Sequence, residues 1–174
     1  HESLEIMEKL GNRQAQGSIL NNIGLACDPL GDYQQGLEYY YRSLKIREEI
    51  GDRQGQGMAL NNIASLLYRL GDYQQALEFN NRSLKIREEI GDRRGQGTTL
   101  GNLGFIYDRL GDYRIALEHY SKSLKMQKGI GDRWGQGITL NNIGFVHYRL
   151  GDCDKALECF SNSLQIRKEI GDRR

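Results

Sequence analysis

Residues 55–70 read GQGMALNNIASLLYRL, and the apolar residues Leu60, Ile63, Leu67 and Leu70 fall at i, i+3, i+7 and i+10. That spacing draws one apolar stripe along a helix, here called helix A. Residues 72–90, DYQQALEFNNRSLKIREEI, carry two stripes: Tyr73, Leu77 and Leu84 on one, Phe79, Ile86 and Ile90 on the other. A helix with two apolar stripes, helix B, needs two neighbours, its own helix A and helix A of another copy. Asp52 is placed to cap the start of helix A by accepting hydrogen bonds from free backbone amides, and Asp72 to cap helix B. Gly71 ends helix A, because glycine takes the left-handed C-terminal conformation at little cost.

The pattern recurs along the whole chain. Gly-Asp-Arg stands at 51–53, 91–93, 131–133 and 171–173, and Leu-Gly-Asp at 30–32, 70–72, 110–112 and 150–152, each series 40 residues apart. Two breakers per 40 residues leave segments of about 18 residues, too long for strands and right for helices. The expected organisation is one all-α array over 1–174, with repeats at 11–50, 51–90, 91–130 and 131–170. Residues 1–10, HESLEIMEKL, match the last part of a helix B, with Ser3, Leu4 and Ile6 aligned to Ser43, Leu44 and Ile46. Residues 171–174 begin a further copy. The expectation is a segment of a longer array; the alternative is terminal copies that diverged.

Composition narrows the function classes. Only 38% of the chain is hydrophobic, so its core must come from residues that recur at fixed intervals. The 22 glycines beside a single proline suit set positions in a repeat rather than a disordered tract. Pro29 falls near the end of the first helix A, where it should shorten that helix. The 24 basic and 23 acidic side chains leave a net charge of +1, with no basic arm, so no nucleic-acid partner is expected. No apolar run reaches about 18 residues, so no membrane span is expected, and no signal-peptide pattern opens the chain. Cys27, Cys153 and Cys159 make no CxxC and have no histidine at metal spacing, which fits reduced thiols in a cytoplasmic protein. His1, His119 and His147 lack partners at spacings that serve nucleophilic catalysis or zinc. No metal, cofactor or enzymatic activity is expected.

The repeat resembles the tetratricopeptide repeat over the whole chain. That family's helix-A pair appears as Ile23-Gly24, Ile63-Ala64, Leu103-Gly104 and Ile143-Gly144, and its turn tyrosine as Tyr33, Tyr73 and Tyr113, with Cys153 in the last copy. The small helix-B residue is Gly36, Ala76, Ala116 and Ala156; the aromatic is Tyr40, Tyr120 and Phe160, with Asn80 in the second copy. A second small position is serine throughout: Ser43, Ser83, Ser123 and Ser163. The 40-residue period is longer than the family's usual one, and Glu48, Glu88, Lys128 and Lys168 stand where the family has a proline stop. This is similar to the long-repeat arrays of kinesin light chains, Pins-type modulators and bacterial signalling proteins. The resemblance implies a right-handed α-α superhelix of antiparallel helix pairs, with the A helices lining a concave face that binds peptide segments of partner proteins.

Helix A itself is unusual in carrying almost no charge: none from Gln54 to Tyr68, none from Gly95 to Tyr107, and only His147 between Trp134 and Tyr148. A helix without charge on either face suggests one face buried and the other functional. Its second face carries Asn22, Asn62, Asn102 and Asn142 in one row, and Asn21, Asn61 and Asn141 in a second that Gly101 interrupts. Asparagine both donates and accepts, so a ladder of it can pair with an extended backbone of any sequence. The first row has an equal claim to a structural role between repeats. Beyond the ladder lie Phe105 and Phe145, then Tyr68 and Tyr148, then Arg69, Arg109 and Arg149. The arginines also stand at a helix C-terminus, where a cation is favoured anyway. Together these residues read as a groove for an extended, neutral-to-acidic peptide. The family's carboxylate clamp is not expected, since Ser18, Met58, Thr98 and Ile138 occupy its lysine position. The repeated Gly-x-Gly at 55–57, 95–97 and 135–137 follows no strand and reads as close helix packing rather than a phosphate loop. Trp134 reads as a packed surface aromatic. The expected function is a protein-interaction scaffold. The alternatives are a structural array that self-associates end to end, and a sensor segment of a larger signalling protein.

Overall fold

The computed structural model describes residues 11–171. Among them the chain forms eight helices and no strand: α1 Arg13–Cys27, α2 Tyr33–Glu49, α3 Arg53–Arg69, α4 Tyr73–Glu89, α5 Arg93–Leu110, α6 Tyr113–Gly129, α7 Arg133–Arg149 and α8 Cys153–Glu169. Odd-numbered helices occupy the helix-A positions and even-numbered ones the helix-B positions. The helix expected within residues 1–10 lies outside the described residues, as does the further copy beyond Gly171.

Side-chain capping sets most of the helix starts, though Asp32 and Asp112 make no capping hydrogen bond. Asp52 Oδ1 accepts from the Gly55 N–H at 2.9 Å, and Asp72 Oδ1 from the Gln75 N–H at 3.0 Å. Asn12 does the same for α1 through Ala15, at 3.0 Å. Each such cap stabilises its helix by about 1 kcal/mol. Gly51 and Gly71, with φ of 70° and 84°, turn the chain at the helix ends in the left-handed region. The helix α1 has 15 residues against 17 in α3, and Pro29, which has no N–H to continue the ladder, follows its end.

The chain divides into two compact units, residues 1–91 and 92–174. In the first, α2 lies between α1 and α3, and α3 packs on α4; in the second, α6 lies between α5 and α7, and α7 packs on α8. The doubly striped helices α2 and α6 thus have the two neighbours their pattern requires. Leu60, Ile63 and Leu67 of α3 are buried, as are Leu77 and Phe79 of α4. Leu70 and Ile90, the last members of their stripes, are exposed because they are the C-cap residues of α3 and α4.

Small residues let the paired helices touch. A Cβ on Gly104 would lie 2.8 Å from the Tyr120 ring, and one on Gly144 would lie 2.6 Å from that of Phe160. In the second copy both members change: Ala64 replaces the glycine and the buried Asn80 replaces the ring. The invariant serine also has a purpose. Ser43, Ser83, Ser123 and Ser163 each donate from Oγ to the carbonyl of Gly17, Gly57, Gly97 or Gly137 at 2.7–2.8 Å. Those carbonyls belong to the second glycine of each Gly-x-Gly, or to its equivalent in the first copy, and the backbone approach agrees with close helix packing there. Arg13, Arg53 and Arg133 at the start of each helix A pair with Glu49, Glu89 and Glu169 at the end of its own helix B. The third copy has Gly129 at the glutamate position.

Candidate functional site

In the first unit the asparagine rows are linked across neighbouring A helices. Asn62 Nδ2 donates to Asn21 Oδ1 at 3.0 Å, so residues of α3 and α1 interlock, and Asn21 is buried by the contact. Asn22 is exposed and Asn61 half-buried. Arg69 Nε lies 3.0 Å from Asp28 Oδ1, an ion pair without hydrogen-bond alignment. Tyr68 packs on Tyr73 of its own repeat, with ring centroids 5.5 Å apart.

Beneath these rows the turn from α2 to α3 is filled from within. Arg47 is buried; its Nη1 donates to Asp52 Oδ2 at 3.0 Å and its Nε to Ser43 Oγ at 3.1 Å. A Cβ on Gly55 would collide with this guanidinium, so the first glycine of the Gly-x-Gly exists to admit an arginine. Gln56, between the two glycines, donates to the Arg47 carbonyl at 3.0 Å and so closes the end of α2.

The second unit repeats this plan with pieces removed. Gln127 stands where Arg47 does, and Gly101 where Asn21 does. Between α5 and α7 lies a cleft of about 290 Å³, lined by Gly97, Thr98, Gly101, Asn102, Phe105, Gln127 and, from the α7 side, Asp132, Trp134, Gly135, Ile138, Thr139 and Asn142. Asp132 Oδ1 keeps the capping bond from Gly135, at 2.9 Å. Gln127 is buried, and its Oε1 has no hydrogen-bond partner. Arg149 pairs with the buried Asp108 of α5, the counterpart of Arg69 with Asp28. The hydrogen bond that Arg149 donates to Asp108 pushes the Arg149 pKa further up. The Arg109 guanidinium carbon sits 5.9 Å from the Phe105 ring centroid. Phe105, Phe145 and Tyr148 are exposed, and Phe145 meets Phe160 edge-on at 5.1 Å. Asn141 and Asn142 are half-buried.

The residues singled out from the sequence for the groove all lie on A helices. Two of the three arginines each pair with a carboxylate one repeat earlier. That pairing had a signal in the sequence: Asp28 and Asp108 fall 41 residues before Arg69 and Arg149, whereas Tyr68 and Tyr148 hold the aspartate position in the other copies. Sequence reasoning also passed over Gln127, the one departure in the column Arg47, Arg87, Gln127, Arg167. Trp134 is exposed and borders the cleft rather than being packed away. The cysteines are free thiols: Cys27 buried, Cys159 partly buried and Cys153 exposed. Among the described residues no cluster of metal-ligating side chains occurs, and no helix is long and apolar enough to cross a membrane.

Family models described as Tetratricopeptide repeat match residues 15–89, 55–129 and 138–170. Comparison with curated proteins finds no match. Among solved structures, the chain is similar to BtubC (BKLC) from P. vanneervenii, at 20% identity and a TM-score of 0.82, over 93% of this chain and 67% of that one. It is similar to aspartyl phosphate phosphatase F from Bacillus subtilis at 17% identity and a TM-score of 0.88, over 92% of this chain and 42% of that one. It is also similar to the apo form of RapI, at 21% identity and a TM-score of 0.83, over 90% of this chain and 57% of that one. The chain therefore spans less than two thirds of the last two, and at these identities the likeness is one of fold.

Proposed function

We propose that this chain, which belongs to the tetratricopeptide repeat family, is a protein-interaction scaffold whose A helices receive an extended segment of a partner. The observation that carries this reading is the second face of helix A: uncharged, asparagine-rich and edged by exposed aromatics, on helices whose B partners bear the charge. Asparagine pairs with a peptide backbone whatever its side chains, and aromatics supply apolar area at low entropic cost. Asn22, Asn61, Asn141 and Asn142, with Phe105, Phe145 and Tyr148, are the contact residues proposed. Asn62 and Asn21 spend part of their capacity on each other. Because Asp28 and Asp108 neutralise Arg69 and Arg149, the pull toward an acidic ligand is weaker than the arginines alone suggest, and a neutral backbone is the main thing read.

A peptide-array screen of the wild-type chain beside the Asn61→Ala/Asn141→Ala double variant tests this. The reading expects array signals to fall in the variant while its melting temperature stays within a few degrees. Unchanged signals would remove the groove assignment.

A second reading has its own observation. Leu157 and Leu164 on α8 are 64% and 54% exposed, whereas Leu37 and Leu44, their counterparts on α2, are buried by α1 and α3. That face suits stacking of a second copy, which light scattering over a concentration series detects as rising mass; constant monomer mass argues against it.

A further inference from the structure

We infer that the cleft between α5 and α7 receives the guanidinium group of an arginine carried by the bound partner segment; this rests on the groove reading and names the side chain the groove selects. In the first unit the same place is occupied by the chain's own arginine. There Arg47 bridges Asp52 Oδ2 at 3.0 Å and Ser43 Oγ at 3.1 Å, and Asn21 of α1 accepts from Asn62 of α3 at 3.0 Å. In the second unit both filling side chains are cut back, Arg to Gln127 and Asn to Gly101, and both positions line the resulting cleft. The recipient groups remain. Asp132 holds its capping bond through Oδ1, and among the described residues no cation pairs with it. Gln127, only 7% exposed, leaves Oε1 without a partner. A buried acceptor without a donor is costly, and a lone carboxylate beside it favours a cation that can donate to both.

Guanidinium fits these demands better than ammonium. Its planar fork can donate to the Asp132 carboxylate and the Gln127 carbonyl together, while its faces lie against aromatic rings. Trp134 and Phe105 supply such rings at the border of the cleft. The volume, about 290 Å³, compares with about 30 Å³ per liquid water and admits an arginine side chain. Arg109, whose guanidinium carbon lies 5.9 Å from the Phe105 ring centroid, is not among the lining residues. The third copy thus lacks the arginine while the fourth keeps the aspartate that would receive it, and a partner's arginine completes the junction.

Trp134 is the only tryptophan, so its fluorescence reports the cleft directly. The full chain is titrated with N-acetyl-arginine amide, N-acetyl-lysine amide and N-acetyl-citrulline amide, the last a neutral isostere of arginine. The arginine probe should saturate, with citrulline at least about tenfold weaker, a difference of about 1.4 kcal/mol. Gln127→Arg should refill the cleft, raise the melting temperature and abolish probe binding. Asp132→Asn, which retains a capping oxygen, should lower affinity to the citrulline level. Equal binding of arginine and citrulline, no saturation by either, or full binding by Gln127→Arg overturns the proposal. A parallel arm uses array-selected peptides with each arginine replaced by citrulline. Peptides that bind equally in both forms, yet lose binding in Asn61→Ala/Asn141→Ala, overturn the pocket and leave the groove intact. Saturation by the arginine probe without any peptide binding upholds the pocket and removes the groove.

Discussion

At the scale of single residues, contacts between columns of the repeat decide what each position tolerates. The Gly104–Tyr120 contact is the clearest case. Gly104→Ala drives a methyl group into the ring and should destabilise the second unit by about 1–3 kcal/mol in chemical denaturation. In a Tyr120→Asn background, which copies the Ala64 and Asn80 pair, the same change should cost little, so the two substitutions couple rather than add. The columns were legible in the sequence, glycine opposite aromatic in three copies and alanine opposite asparagine in the second. Their coupling was not, because two positions 16 residues apart on different helices show their contact only when the helices are packed. Tyr40 makes a pH prediction. Burial first, then the Asp28 and Cys27 charges, push its phenol up to about 12. The folded-state pKa lies above the unfolded value near 10, so the stability it contributes is complete below pH 10 and is lost as pH rises through about 12. Melting temperature followed from pH 9 to pH 12 should fall less steeply in Tyr40→Phe than in the wild type.

At the scale of helices, the double stripe of helix B was enough to call for two neighbours, and α2 and α6 have them. What the stripe left out is the polar wiring of the turns, since a charge pattern does not say which side chains fold back. Arg47 looked like one more solvated cation of a charged helix, yet it is buried against Asp52 and Ser43. Arg47→Ala leaves that carboxylate uncompensated and should cost roughly 3 kcal/mol. Gln127→Ala, which removes no ion pair, should cost clearly less in the same denaturant titration. Helix α6 carries a second pH response. Burial first, then the Lys122 charge, lower the pKa of His119, opposed by Glu118, and the ring stacks on Tyr107 at 5.3 Å. A histidine kept neutral in the fold contributes stability that is present above its ordinary value near 6.5 and is lost as pH falls below it. His119→Gln should flatten the fall in melting temperature between pH 7 and pH 5.

At the scale of the whole molecule, the two helix types divide the work. The B helices carry most of the charge, and the A helices keep one face for the core and one whose middle is nearly free of charge. The 40-residue repeat was legible from spacing, and the family from the resemblance of its small and aromatic columns, with which the tetratricopeptide models over residues 15–129 and 138–170 agree. The uncharged face was equally legible. Its paired arginines left only the 41-residue Asp–Arg spacing as a signal, and its cleft left none, because both arise from a residue in one repeat meeting a residue in the next. The most direct test of the A-helix face is hydrogen exchange with and without an array-selected peptide. The account predicts added protection in α1, α3, α5 and α7, with the charged outer segments of α2, α4, α6 and α8 unchanged. Protection confined to the B helices would contradict it.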